Sequence, residues 1–238
     1  MSDYTYLLLN IGTILFPVLF SFEKQIRFVR FWPAVIPGIL LTGSFFLIWD
    51  YLFTLDGVWG FNPVYLTKFY MGPLPVEEIL FFITVPFACL FIYELVKFYL
   101  PDLNINKQAQ TGFTVLGIAL LLIGLFNTDK AYTFIKLSLT GGGLLFATLM
   151  MKPKWLGHFL VMFLVHLIPF FIVNGILTSL PVVWYNDAEN LGIRMGTIPV
   201  EDTFYSLLLL LMNVAFFEYF RGKISSTQRR RERRENAK

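Results

Sequence analysis

Two short stretches of the chain carry paired carboxylates at the mouth of apolar runs. "GPLPVEEILFF", residues 72–82, presents Glu77 and Glu78; "MGTIPVED", residues 195–202, presents Glu201 and Asp202. A charge near bilayer depth costs about 2.5–3.5 kcal/mol on insertion scales, so such acids are candidates for a functional site. Carboxyls gathered against an apolar wall can be divided between acid and base roles. A competing explanation is the helix macrodipole, which acids in a first turn favour by roughly 0.3–1 kcal/mol. Two features argue for chemistry. Neighbouring helical positions point about 100° apart, so a single solvent-facing stripe does not accommodate both members of a pair. A helix end also needs only one acid, and each stretch carries two.

Stepping the sequence against itself by 124 residues superposes "MGPLPVEE" at 71–78 on "MGTIPVED" at 195–202, and the match extends well beyond them. Thr54 then meets Thr178, Asn62 meets Asn186 and Glu94 meets Glu218, while Asp50 meets Asn174. The chain is thus an internal duplication whose copies have diverged at a polar position within an apolar helix.

The elements that must position these residues are membrane helices. Of 238 residues, 56% are hydrophobic and 15% charged, with a mean hydropathy of +0.65. About 20 apolar residues span the hydrocarbon core, and seven windows qualify: 4–22, 33–54, 76–97, 111–127, 131–150, 155–178 and 201–221. The expected fold is all-α: helices 1–3 and 5–7 form two three-helix repeats, and helix 4 is an unmatched connector. Because an odd number of helices plus a connector restores direction, the repeats run parallel, related by a pseudo-twofold along the membrane normal. The organisation is residues 1–98 as the first repeat, 99–127 as the connector, 128–222 as the second repeat and 223–238 as a basic tail.

Lys and Arg concentrate at alternate connections. Lys24, Arg27 and Arg30 follow helix 1, Lys97 and Lys107 flank the third connection, Lys152 and Lys154 the fifth, and eight lie from Arg221 onward. The opposite connections hold Lys68, Lys130 and Arg194, with Lys136 just inside helix 5. This predicts an N-terminus outside and a C-terminus in the cytoplasm, with both acidic motifs at the outer face. The N-terminus lacks a basic stretch and a small-residue cleavage site, so the first helix is expected to be retained. The tail, "RGKISSTQRRRERRENAK", reads as a topology anchor touching anionic lipid, not as a nucleic-acid arm.

Other polar residues sort around this frame. Asp50, near the outer end of helix 2, belongs at the level of the acidic cluster, with Asn174 as its counterpart. Asn62 and Asn186 either orient the carboxyls or form turns. Glu94 and Glu218 fall about 25 Å further along their helices, beside Lys97 and Arg221, outside the site. His158 and His166 share a face without acidic or thiol ligands at metal-site spacing and read as polar contacts in the bundle. Cys89 reads as a packed thiol, and "TGGGLLFA" at 140–147 as close helix packing. Long loops at 55–75 and 179–199 carry Trp59, Tyr65, Phe69, Tyr70, Trp184 and Tyr185, which fit an interfacial belt or the mouth of an apolar pocket. No nucleotide-binding, zinc-protease or serine-hydrolase motif is present. Acid and base chemistry on an apolar molecule, with no cofactor and no metal, is the expected reaction.

The doubled P-x-E-[ED] motif, each copy on the third helix of a repeated small membrane unit, resembles the heterodimer-type lycopene cyclases of bacteria, archaea and fungi, with both halves fused in one chain. The resemblance covers all but the basic tail. It implies a carotenoid cyclase, an intramolecular lyase or isomerase, that converts the linear ψ ends of lycopene to β-ionone rings, giving γ- and β-carotene. Glu77, Glu78, Glu201 and Asp202 are the implied catalytic carboxyls, and Asp202, one methylene shorter than its counterpart Glu78, is the departure from strict repetition. The implied partners are lycopene or a related linear carotenoid and membrane lipid, in a cell membrane. Of the 27 Phe and 11 Tyr, Phe81, Phe82 and Tyr205 lie nearest the carboxylates and are candidates to shield and stabilise a carbocation. Alternatives are a cyclase for C50 or other end groups, a non-catalytic carotenoid-binding subunit, and a small transporter with its site at the midplane. The clustering of acids at one face and the Phe- and Leu-rich midplane weigh against transport.

Overall fold

A computed structural model describes residues 3–235, with side chains over 3–227; the final part of the basic tail lies outside the described residues. Seven helices make up the body: α1 Thr5–Phe20, α2 Trp32–Leu55, α3 Val76–Tyr99, α4 Asn106–Leu125, α5 Ala131–Leu145, α6 Leu156–Ser179 and α7 Val200–Glu235. Six are long and apolar enough to cross a membrane. The chain is an all-α integral membrane protein in which α1–α3 and α5–α7 are the parallel repeats and α4 the connector. Four helices differ from expectation. α4 begins at Asn106, ahead of its window at 111–127, and α7 continues past its window at 201–221 to Glu235. α1 stops at Phe20, 16 residues long. Just beyond it Ser21 Oγ donates to Pro17 O at 2.6 Å, and a 3-10 turn at Phe28–Phe31 leads into α2. α5 ends in a π-helical turn, Phe146–Met151.

The repeats interlock. α1 packs on α3 and α5 on α7 within each copy, whereas α2 packs on α7 and α6 on α3 across copies. The polar end farthest from the acidic motifs displays the same exchange. Arg221 reaches Glu94 at 2.6 Å and Lys97 reaches Glu218 at 2.6 Å, while Tyr93 OH donates to Glu218 at 2.7 Å. Glu94 and Glu218 are therefore tied into cross-copy ion pairs, away from the motif end.

The long loops hold short strands that apolar periodicity alone did not foresee. β1 Trp59–Phe61 pairs antiparallel with β4 Val183–Tyr185, and its central pair, Gly60 opposite Trp184, joins equivalent positions of the two copies. The pseudo-twofold axis therefore passes through this ladder. Two hairpins, β2 Tyr70–Met71 with β3 Leu74–Pro75 and β5 Arg194–Met195 with β6 Ile198–Pro199, lead directly into α3 and α7. Each turns on a glycine, Gly72 at φ 63° and Gly196 at φ 65°, the conformation that a tight two-residue turn asks of its first central residue.

The connector is fastened by backbone proximity, as "TGGGLLFA" suggested. A Cβ at Gly141 in α5 would lie 2.6 Å from Gly117 O and 2.8 Å from Leu121 N of α4, while one at Gly142 would meet nothing within 4 Å. Gly141→Ala is expected to destabilise the bundle by roughly 1–3 kcal/mol through overpacking. Gly142→Ala should leave stability unchanged or slightly raised. Thermal unfolding in detergent compares the two, and equal midpoints would contradict this packing.

Candidate active site

Each hairpin delivers its acidic pair to the first turn of a helix. Val76 N donates to Phe69 O at 2.9 Å, and its counterpart Val200 N donates to Ile193 O at 3.0 Å. Pro75 caps α3 with extended backbone, φ −70° and ψ 151°. The two carboxyls of each pair then part company.

The first acid of each pair turns into the loop. Glu77 Oε1 accepts from Thr67 N at 2.6 Å; Glu201 Oε1 accepts from the equivalent Leu191 N at 2.8 Å and from Thr133 Oγ1 at 2.7 Å. Both are fully buried. Their position satisfies loop N–H groups that would otherwise be stranded from water. Neither lines the central cavity.

The second acid of each pair faces that cavity. Glu78 Oε2 accepts from Tyr6 OH at 2.5 Å, Asp202 Oδ1 from Tyr132 OH, and Asp202 Oδ2 from Tyr185 OH at 2.7 Å. Tyr6 on α1 and Tyr132 on α5 are thus equivalent, through an offset two residues longer than that of the motifs. Tyr185 lies in β4, outside the helices, and burial first and then the Asp202 carboxyl push its hydroxyl above the ordinary tyrosine range, keeping it a neutral donor.

One cavity serves both copies. It has a volume of about 60 Å³, room for a few water molecules, and is lined by Glu78, Asp202, Asp50, Lys136, Asn174 and rings that include Phe81 and Tyr205. Asp50 is 3% exposed, and its Oδ2 has no hydrogen-bond partner among the described residues. Phe82 sits behind the wall, with its ring 6.4 Å from Tyr205 and 6.2 Å from Phe46. Asn62 and Asn186 are not at the cavity. They form Asx turns, accepting from Val64 N at 3.1 Å and Ala188 N at 3.1 Å.

Lys136 is the feature that reading the sequence missed. By its place in the sequence it is one positive charge just inside helix 5, yet it is 1% exposed and lines the cavity. Its Nζ lies 3.1 Å from the Tyr205 ring centroid, 4.1 Å from Trp49, 4.6 Å from Trp59 and 5.2 Å from Tyr132. These contacts form an aromatic box of the kind that holds a cation by ring quadrupoles. Across the cavity it faces Asp50, Glu78 and Asp202. The equivalent residue on α1 is Asn10, whose amide donates to Glu77 O at 3.0 Å and accepts from Thr84 Oγ1 at 2.7 Å. The available signal was an apolar helix interrupted by a lysine four residues after a tyrosine, aligned with Tyr6 and Asn10.

The histidines make bundle contacts. His158 Nε2 pairs with Leu100 O at 2.9 Å and His166 Nδ1 with Cys89 Sγ at 3.3 Å. Among the described residues no three His, Cys, Asp or Glu side chains converge as a metal-ligand set.

The cavity offers three carboxyls, one lysine amine and several ring faces. That inventory suits proton transfer to and from a hydrocarbon. No curated protein and no solved structure matches the chain. A family model, lycopene cyclase, matches residues 3–96 and 129–220, one segment for each three-helix repeat and neither covering the connector. The chain belongs to the lycopene cyclase family, with the two halves of the enzyme joined in one polypeptide.

Proposed function

We propose that this carotenoid cyclase is a lycopene β-cyclase that works by acid and base catalysis alone. The observation that carries the reading is the division of labour within each acidic pair: Glu77 and Glu201 fasten the loops, and Glu78 and Asp202 face one shared cavity with Asp50 and Lys136. In the reaction, Glu78 as a carboxylic acid gives its proton to C2 of the terminal C1=C2 bond. The resulting C1 cation is attacked by the C5=C6 π pair, which forms the C1–C6 bond and moves the positive charge to C5. Asp202 then removes the C6 proton, whose bonding pair becomes the new C5=C6 double bond. One proton enters and one leaves, so the conversion is an isomerisation that asks for no redox cofactor.

The assignment of the two roles follows the hydrogen bonds. Both oxygens of Asp202 accept phenolic protons, which orients it as the fixed anion, whereas Glu78 has a tyrosine donor on one oxygen only. Lys136 offsets the negative charge of the carboxylates, and Phe81 in the cavity wall, a ring that Lys136 does not occupy, offers a face for the migrating cation. Asp50 and Asn174 are the polar flanks of the cavity. The Lys and Arg distribution supports a site at the outer face of a cell membrane, with the C-terminus in the cytoplasm.

Expression in cells that accumulate lycopene, followed by chromatography of the extracted pigments, tests the reading. The parent chain is expected to yield γ- and β-carotene. Glu78→Gln and Asp202→Asn should each lower conversion by about 10²-fold or more, the usual scale of general acid or base catalysis, with membrane levels unchanged. Glu77→Gln and Glu201→Gln should keep measurable conversion. Lys136→Gln should fall with the cavity acids. Conversion that survives both Glu78→Gln and Asp202→Asn would overturn the mechanism, and a different cyclic product would reassign the end group.

A further inference from the structure

Two apolar grooves flank the bundle and are related by the same pseudo-twofold. The first, with a volume of about 480 Å³, lies between α1, α3 and α6 and is walled by residues such as Leu8, Gly12, Phe16, Ile92 and Val173. The second, about 750 Å³, lies between α5, α7 and α2 and is walled by residues such as Phe45, Leu139, Gly142 and Phe216.

The grooves differ at the head. Asn174 lines both the first groove and the carboxyl cavity, so those two spaces meet at its side chain. The second groove shares no lining residue with the cavity. An equivalent pair of positions explains the difference: α6 carries Val173 where α2 carries Trp49. Trp49 stacks on Phe46 at 5.7 Å and meets Tyr205 edge-on at 5.8 Å, and Phe46 meets Tyr205 edge-on at 5.0 Å. This wall of rings separates the second groove from the acids.

We propose that the groove between α1, α3 and α6 is the binding site for the polyene chain of the linear carotenoid, that one end reaches the carboxyls past Asn174, and that the second groove does not serve the reaction. The inference rests on the cyclase reading and adds the path and direction of the substrate. The groove is lined by aliphatic and aromatic side chains apart from Thr13, Asn174 and the Cys89–His166 pair, which suits a hydrocarbon. Its α3 wall, residues 85–95, runs roughly 15 Å away from Glu78, and the open side leaves the rest of the polyene in lipid. The cavity alone, at about 60 Å³, is smaller than the ~150 Å³ that holds a benzene ring. The six-membered ring therefore closes at the junction beside Val173 and Asn174. Only one end is processed per binding event, so a second ring requires release and reversal, and the monocyclic carotenoid appears first.

Two glycines make a matched test. A Cβ at Gly12 or at Gly142 meets nothing within 4 Å, and each faces its own groove. In lycopene-accumulating cells, with product normalised to membrane-inserted protein, Gly12→Trp is expected to lose at least tenfold of the conversion. Gly142→Trp should stay within twofold of the parent. Val173→Trp, which copies the ring wall of the other half, should behave as Gly12→Trp. Gly12→Leu, a smaller plug, should show an intermediate loss with more monocyclic product. Equal conversion by the Gly12→Trp and Gly142→Trp variants, whether both high or both lost, would overturn the proposal. A parent that cyclises nothing would instead sink the cyclase reading. In that event the groove is judged by lycopene that copurifies in detergent: retention by the parent and loss in Gly12→Trp supports it, and equal retention overturns it.

Discussion

Ionisable groups taken out of water at the end of a membrane bundle must be satisfied by the protein itself, and the architecture answers that constraint. Glu77 and Glu201, fully buried, are each held through Oε1 by a loop N–H, while their Oε2 atoms, like Asp50 Oδ2, have no hydrogen-bond partner among the described residues; Glu78 and Asp202 are held by tyrosine hydroxyls, and Lys136 by ring faces. An unpaired charge at such a place costs several kcal/mol, so the hairpins, the β1–β4 ladder and the tyrosines on α1 and α5 form one polar assembly. The helices deliver the acids, and the loops make their burial tolerable.

Duplication supplies the two acids, and divergence makes them different. On the α2–α5–α7 side Asp50, from the first copy, and Lys136, from the second, line the cavity; on the α1–α3–α6 side the equivalent positions are Asn174 and Asn10. Trp49 and Trp59 stand opposite Val173 and Val183 in the same way. The charged side is ringed by aromatics, and the neutral side is more aliphatic and opens to a groove. A strictly symmetric pair of half-sites would place like groups on both sides of the substrate end. Acid and base catalysis needs unlike ones, and the exchange of α2 and α6 between copies brings the unlike sides face to face.

Much of this was legible in the sequence because its signals are periodic or repeated. Seven apolar windows marked the helices, and an offset of 124 residues linked both motifs with Asp50 and Asn174. That Glu94 and Glu218 lie at the far end, outside the site, followed from their distance along the helix; that they pair across the copies, with Arg221 and Lys97, did not. What was not legible depended on side-chain direction. Adjacent carboxyls point about 100° apart, and nothing in "VEE" tells which of them turns toward the loop and which toward the cavity. Lys136 was hidden for a related reason: its partners are rings on α2, β1 and α7, contributed from both copies. The short strands escaped because two- and three-residue ladders carry too few side chains to display a period of two.

Solvent isotope incorporation tests the proton chemistry at its centre. Membranes containing the chain would be supplied with lycopene in deuterium oxide and the cyclic product analysed by mass spectrometry and NMR. Transfer of a carboxyl proton to C2 predicts one deuterium per ring, located at C2, and its loss together with the product in Glu78→Gln. Rings formed without deuterium would contradict an exchangeable carboxyl as the acid and would remove the cavity from the chemistry.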